Sequence, residues 1–282
     1  MADEITITVA DAALPENWEK KALRALYAAR VVAKPDVLLY KVSEGKPGDN
    51  INFTELGALS VAAPSAAGVI ANTALTHTQR QIALSSWRST AISVPTRAMY
   101  QSVLEYGQEF SVGAGDALGQ DMDDLILDDH GSLTSNNEGS TTTPIPMSDA
   151  LVRAAILDLD VLSVPKEKRT FILHPTAKWA LLGDSDFKRS DATGKSEGGM
   201  VSGILHPLYG VKFVETPRVV QSGSVRKNLL LQEKCIGFVV QKDISITKHD
   251  RVGDLTVRWI AEYLCGEAVL RQNHGVVINT VA

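Results

Sequence analysis

Residues 114–127 read Ala114-Gly115-Asp116-Ala117-Leu118-Gly119-Gln120-Asp121-Met122-Asp123-Asp124-Leu125-Ile126-Leu127, and the reading of this stretch decides the fold. Extended in both directions, Met99, Val103, Tyr106, Phe110, Ala114, Leu118, Met122 and Leu125 recur at three- and four-residue spacing. That spacing predicts a long helix over residues 96–129 with one apolar face. Gly107, Gly113, Gly115 and Gly119 each cost about 1 kcal/mol against Ala, so a break near 111–115 is expected. Asp116, Asp123, Asp124 and Asp128 fall away from the apolar stripe and predict a solvated acidic face. Gly113, Gly115 and Gly119 have one residue too many between them for a dinucleotide-binding fingerprint, and they lie inside a helical pattern. They read as points of close helix packing.

The helix belongs to a stretch of unusual charge. From residue 98 to 152 there is no Lys or Arg, but there are ten acids: Glu105, Glu109, Asp116, Asp121, Asp123, Asp124, Asp128, Asp129, Glu138 and Asp149. The 282-residue chain has 28 Lys+Arg and 33 Asp+Glu, a net −5. The segment is therefore −10 and the remainder, with 28 basic and 23 acidic residues, is +5. This balance excludes a protein whose main task is to grip a phosphate backbone, which takes clustered Lys and Arg. A composition 44% hydrophobic and 22% charged excludes wholesale disorder.

Outward from the helix, the N-terminal side holds an amphipathic pattern over 15–33, opened by Pro15 and closed by Pro35. Strand-like runs at 37–42 and 51–56 flank Gly45, Pro47, Gly48 and Asp49, which predicts a long hairpin over 37–56. An Ala/Gly/Ser-rich excursion spans 57–74, and β-type alternation resumes over 75–94. On the C-terminal side, residues 130–148 form a polar boundary. A helix is predicted over 148–162, a strand over 170–173, a helix over 175–182 and a polar loop over 183–199. Strands follow at 211–215, 228–232, 236–240, 244–248, 255–264, 268–270 and 275–280. Helices and strands mix without regular βαβ alternation, so the class is α+β.

Chemistry-bearing motifs are weak. Residues 192–196 (Ala-Thr-Gly-Lys-Ser) resemble the end of a phosphate-binding loop, but Arg189 stands where its first glycine belongs, and the stretch reads as a loop. The run Asp121 to His130 invites a cation, yet Leu125, Ile126 and Leu127 interrupt the alternate oxygen ligands that Ca²⁺ needs. His77, His130, His174, His206, His249 and His274 are scattered without ligand spacing. No nucleophile, base and orienter assemble, so no catalytic, cofactor or metal residue is assigned. Cys235 and Cys265 read as buried free thiols in a reducing compartment. No signal peptide and no membrane span are expected, which implies cytoplasmic synthesis.

The order of segments resembles that of the major capsid proteins of tailed bacteriophages, with the Johnson fold named after the Hong Kong phage coat. Residues 114–127 look like the family's spine helix. Residues 157–175 (Leu-Asp-Leu-Asp-Val-Leu-Ser-Val-Pro-Lys-Glu-Lys-Arg-Thr-Phe-Ile-Leu-His-Pro) look like its helix, Val-Pro turn and strand. Residues 203–216 resemble the Gly-containing step that follows, and 244–247, 255–266 and 268–271 its closing strands. The resemblance implies an N-terminal arm over 1–35 and an extended loop with its link to the peripheral domain over 36–92. It further implies a peripheral-domain spine over 93–144, an axial domain over 145–240 and return strands over 241–282.

The function implied is self-assembly through pentamers and hexamers into an icosahedral virion head enclosing double-stranded DNA without sequence-specific binding, and no enzyme activity. Self-contacts fall to the loop charges Lys41, Glu44, Lys46 and Asp49, and an inner, DNA-facing acidic surface to Asp116, Asp123, Asp124 and Asp128. Lys41 and Lys46 otherwise read as solubilising charges on an edge strand; the acid and Asn partners of the isopeptide crosslink of some relatives are not identifiable nearby. Implied partners are the chain itself, a separate scaffolding protein, a portal and a decoration protein, with assembly in the host cytoplasm. Two alternatives stay open: an encapsulin-like nanocompartment shell, and a cytoplasmic α+β enzyme using His174 or the Asp121–Asp129 cluster.

Overall fold

The first apolar stripe of the chain is a helix, and its fully buried Ala22 and Leu26 face a second helix nearly a hundred residues on. The computed structural model describes residues 15–42, 48–56, 77–102, 106–133, 135–183, 209–251 and 253–282. Helix α1 (Pro15–Ala29) ends four residues before the predicted limit. The predicted long helix is two: α2 (Thr96–Gln101) and α3 (Tyr106–Asp128). The chain leaves the helix at Ser102, and the expected break near 111–115 does not occur. Gly115 and Gly119 are needed for contact: a Cβ on Gly115 would lie 2.3 Å from the Ala22 carbonyl oxygen, and one on Gly119 2.8 Å from that of Leu26. Close backbone approach of α1 thus offsets the weak helix propensity of these positions.

Both helices cover one face of a four-stranded sheet ordered β1-β10-β11-β4: β1 (Leu39–Val42), β4 (Ser86–Pro95), β10 (Ile236–Arg251) and β11 (Thr256–Val269). Along β11 every second residue from Val257 through Trp259, Ala261 and Tyr263 to Cys265 is buried, the period-two signature of a sheet covered on one face. β10 was expected as two strands, 236–240 and 244–248, and β11 as two more. Each is continuous. The break in β10 is a bulge: its register with β11 shifts between Val240, Lys242 and Ser245, where the Asp243 carboxylate accepts the Ile244 amide at 2.8 Å.

The second half is a larger sheet ordered β5-β12-β9-β6-β7, with β5 (Asn137–Glu138), β6 (Arg169–Leu173), β7 (Val211–Glu215), β9 (Val225–Gln232) and β12 (Gly275–Val281), and with β8 (Gln221–Ser222) paired to β9. Its central strands are buried on both faces. Phe171, Leu230 and Ile278 pack under α4 (Asp149–Val161) and α5 (Pro175–Gly183), while Ile172, Leu229 and Val277 join the core beneath α1 and α3. Near-continuous apolar runs suit such a two-sided position. The stretch 241–282 therefore divides: β10 and β11 lie in the four-stranded sheet, whereas β12 pairs with β9 and β5.

The expected hairpin over 37–56 is replaced by a different pairing. β1 runs parallel to β10, with Lys41 opposite Val239. The strand β2 (Asn50–Leu56) pairs antiparallel with β3 (His77–Ala83), from Asn50↔Ala83 to Leu56↔His77. Leu39 packs against Val239, Ile82 and Leu270 beside β10, an apolar site that a lone hairpin does not offer, and residues 43–47 of the expected turn lie outside the described residues.

Candidate assembly surfaces

The β2–β3 ribbon is exposed along most of its described length. Along β3 only Ile82 is buried; it packs at the ribbon's root with Ile51 against Val239 and Leu270. Among the described residues the ribbon forms a sheet of its own, with no third strand paired to it. A two-stranded ribbon without a covering layer is marginal in water. Lys41 stands beside this root, its Nζ 5.4 Å from the centre of the Phe53 ring, a cation–π distance. Asp49 is exposed where the chain enters β2, and its carbonyl accepts the Leu84 amide at 2.7 Å. Glu44, Lys46 and the 57–74 excursion lie outside the described residues.

The acids of α3 do not form one solvated face. Asp123 is 1% exposed and holds the end of the arm: its carboxylate accepts the amides of Val31 at 2.6 Å, Val32 at 2.9 Å and Ala33 at 2.8 Å. Burial pushes its carboxyl above the ordinary range, with the three amides pulling the other way. The expected exposure of Asp123 is thus corrected; the turn of chain after α1 folds over this position and supplies donors. Asp124 is half-buried and gripped by the fork of Arg218, which also reaches Gln120 Oε1 at 2.9 Å. That contact raises the Arg218 pKa further and ties α3 to the larger sheet. Asp116 is partly exposed and Asp128 exposed, as an acidic face requires. Asp121 accepts the Tyr263 hydroxyl at 2.6 Å.

Below α3, Asp129 is half-buried beside Glu267 of β11. Burial first, then the charges of Glu267 and Asp128, push its carboxyl up to about 7, and burial raises Glu267 as well. Two further ion pairs matter: Lys212 with Asp36, whose carboxyl that contact holds low, joins the halves, and within the larger-sheet half the buried Arg169 pairs with Asp160 of α4 at 2.7 Å. Arg169 also donates to the carbonyls of Val164 and Pro165, pinning the Val-Pro turn. Arg218, Lys212 and Arg169 escaped the sequence reading because each partner of the first two lies far away in the chain, and Arg169 reads as one more cation in a polar turn.

The residues named for an enzyme do not converge. His174 Nδ1 lies 2.8 Å from Thr176 Oγ1 and accepts the Thr176 amide at 3.2 Å, so the ring closes the first turn of α5; burial lowers its pKa. Asp121, Asp123, Asp124 and Asp129 face four different partners. Among the described residues, no three His, Cys, Asp or Glu side chains are grouped to hold a metal ion. None of the described helices is long and apolar enough to cross a membrane. Cys235 and Cys265 are buried free thiols, both raised by desolvation. Residues 192–196 and His206 lie outside the described residues.

No protein-family model and no curated protein matches the chain. Solved structures do. The chain is similar to the capsid asymmetric unit of cyanophage Pam1, with TM-score 0.72 and 10% identity over 92% of this chain and 93% of that one. It is similar to the capsid of cyanophage P-SCSP1u, with TM-score 0.70 and 14% identity over 89% of each chain. It is also similar to a virus-like particle from Pyrococcus furiosus, with TM-score 0.61 and 13% identity over 93% of this chain and 98% of that one. The α1–α3 pair on its sheet, the second sheet with α4 and α5, and the uncovered ribbon are thus the α+β Johnson fold of tailed-phage major capsid proteins.

Proposed function

We propose that this chain is the major capsid protein of a tailed bacteriophage, assembling through hexamers and pentamers into an icosahedral head around double-stranded DNA. The observation that carries the reading is the β2–β3 ribbon, exposed along most of its length and, among the described residues, paired to no third strand, because such an element needs a partner surface. A neighbouring copy supplies one, and the charges Lys41, Glu44, Lys46 and Asp49 serve as contacts to it. Asp116 and Asp128 form the inner acidic surface toward DNA, where like charge acts within a Debye length of about 8–10 Å, while Asp124 is neutralised by Arg218. Asp123 serves the subunit's own arm. A separate scaffolding protein, a portal and a decoration protein complete the particle, which forms in the host cytoplasm.

The test is negative-stain microscopy and sedimentation of the expressed chain. Megadalton shells, sheets or discrete capsomers are expected. A stable monomer under every condition, scaffold included, would sink the reading. The likeness to the Pyrococcus furiosus particle favours a second reading, an encapsulin-like shell around protein cargo. Nuclease-protected DNA inside purified particles separates the first from the second.

A further inference from the structure

Residues 271–274 read Arg271-Gln272-Asn273-His274, four consecutive side chains that can all donate hydrogen bonds, set between the apolar end of β11 and the apolar β12. They form a short 3₁₀ turn, Gln272–His274, that is held at its start: the Arg271 amide donates to the Cys235 carbonyl at 3.1 Å and the His274 amide to the Arg271 carbonyl at 3.1 Å. The His274 ring is fixed as well. Gln232 Oε1, which accepts the Lys234 amide at 2.9 Å, lies 3.1 Å from His274 Nδ1, so that nitrogen carries a proton and donates it. Against this turn the ribbon brings one more cation. Ile82 and Leu270 wedge together over Gly237, where a Cβ would come within 2.6 Å of Ile82 Cδ1 and 2.9 Å of Leu270 Cδ1. Arg80 stands two residues from Ile82 on β3 and so leaves the strand on the same face, while Arg271 follows Leu270 directly. The wedge thereby brings Arg80 and Arg271 to one cavity of about 310 Å³, which Gln272, Asn273 and His274 complete.

Two guanidiniums and an imidazole share this cavity, and no Asp or Glu is among the described residues that line it. Elsewhere the chain pairs its guanidiniums with carboxylates: Arg88 faces Asp121, Arg153 Asp149, Arg169 Asp160 and Arg218 Asp124. Among the described residues Arg80 makes no ion pair. Like charges gathered without a counter-charge repel, and an anion between them turns that repulsion into attraction. We infer that the cavity binds a terminal phosphate group, supplied as inorganic phosphate or by a mononucleotide. Each guanidinium presents a fork that takes two oxygens side by side. A carboxylate has one such pair, and so has a phosphodiester, whereas a terminal phosphate has three free oxygens and can serve both forks. The Gln272 and Asn273 amides add neutral donors. At about 310 Å³ the cavity lies at the small end of ligand pockets, about 300–1,000 Å³, which suits a phosphate ion or a single nucleotide rather than a longer polyanion. The site takes nothing from a second copy, so the inference stands apart from the shell reading.

The full-length chain is titrated calorimetrically with sodium phosphate in chloride buffer of matched ionic strength, beside Arg80→Gln, Arg271→Gln and the charge-matched control Lys248→Gln, near the opposite end of β10 from Gly237. Wild type and Lys248→Gln are expected to take up one phosphate per chain, and each Arg variant to bind at least about tenfold more weakly. Arg80 is exposed, so Arg80→Gln keeps the wild-type thermal midpoint and its loss of binding is not a loss of fold. Adenosine 5′-monophosphate binding more tightly than phosphate identifies a nucleotide as the source, and equal or weaker binding identifies the free ion. The inference is overturned by a wild type without saturable phosphate uptake, by either Arg variant binding as tightly as wild type, or by Lys248→Gln weakening binding as much as they do. Displacement of the bound phosphate by an oligothymidylate lacking a terminal phosphate would overturn it too.

Discussion

Replacing Asp123 tests how the arm is held, because its two oxygens have separate duties. Oδ1 accepts the Val32 and Ala33 amides at 2.9 and 2.8 Å, and Oδ2 the Val31 amide at 2.6 Å. Val32 and Ala33 are fully buried, so Asp123→Ala leaves at least two amides without water or partner. A buried donor left unsatisfied costs about 1–3 kcal/mol, which gives about 3–5 kcal/mol after partial entry of solvent into the space vacated. At about 2–4 °C per kcal/mol for a large single chain, the midpoint falls by about 10 °C. Asp123→Asn is milder. Its oxygen still serves Val32 and Ala33, but its amino group meets the Val31 N–H donor to donor, for about 2 kcal/mol. Thermal unfolding of the unassembled subunit measures both, and hydrogen exchange at the 31–33 amides reports the local opening directly. If Asp123→Ala were within 0.5 kcal/mol of wild type, or Asn as damaging as Ala, the latch would be wrong.

Other outcomes follow from the same contacts. Gly113 and Gly115 give opposite signs. Gly115→Ala drives a Cβ into the Ala22 carbonyl and costs about 2–3 kcal/mol, whereas Gly113→Ala meets nothing within 4 Å and gains about 0.5–1 kcal/mol of helix propensity; paired denaturant titrations decide. The Asp129 carboxyl is raised to about 7, so the stability it contributes is full below about pH 4 and is lost as pH rises through 7. Asp129→Asn should therefore be more stable than wild type at pH 8, by about 1–3 kcal/mol after solvent screening, and equal to it near pH 4. An unchanged pH–stability profile would refute the assignment. Arg218→Met, which keeps the stem but removes the fork from Asp124, should cost about 1 kcal/mol and raise hydrogen exchange in residues 216–220 before any change in the core.

How much of this was legible in the sequence varies with the range of the interaction. The alternation from Val257 to Cys265 and the stripe from Ala114 to Met122 were visible because each is decided within a few residues by a single covering surface. The partner of β1 was not. Leu39 to Val42 and Ile51 to Leu56 carry good hairpin grammar, but strand pairing is a competition, and β10, nearly two hundred residues later, offers β1 a buried neighbour. Glycine misled in the same way. Local propensity places a break at Gly113 and Gly115, while the decisive quantity is how near the backbone of α1 comes to α3. The bulge at Val240 and Lys242 reads in sequence as a strand end, since a local reading cannot distinguish a chain that stops pairing from one that slips register and resumes.

The acidic stretch makes the strongest case for reading charge in three dimensions. Ten acids without a cation between residues 98 and 152 imply a surface of charge −10, but five of them are committed inside the subunit. Asp123 binds three amides, Asp124 binds Arg218, Asp121 binds Tyr263 and faces Arg88 at 3.6 Å, and Asp149 binds Tyr209 and Arg153. Burial raises the Asp129 carboxyl to about 7, so near neutral pH it carries only part of a charge. On the open side of α3 this leaves Glu109, Asp116 and Asp128, with Asp124 neutralised by its partner. The proposed DNA-facing lining would therefore rest on three carboxylates per subunit rather than ten. Its strength comes from repetition around a shell, where copies sum their charge over a surface much wider than the Debye length. Charge reversal at Asp116 and Asp128 should then change DNA retention in assembled particles and leave the isolated subunit's stability within about 0.5 kcal/mol, whereas reversal at Asp123 should do the opposite.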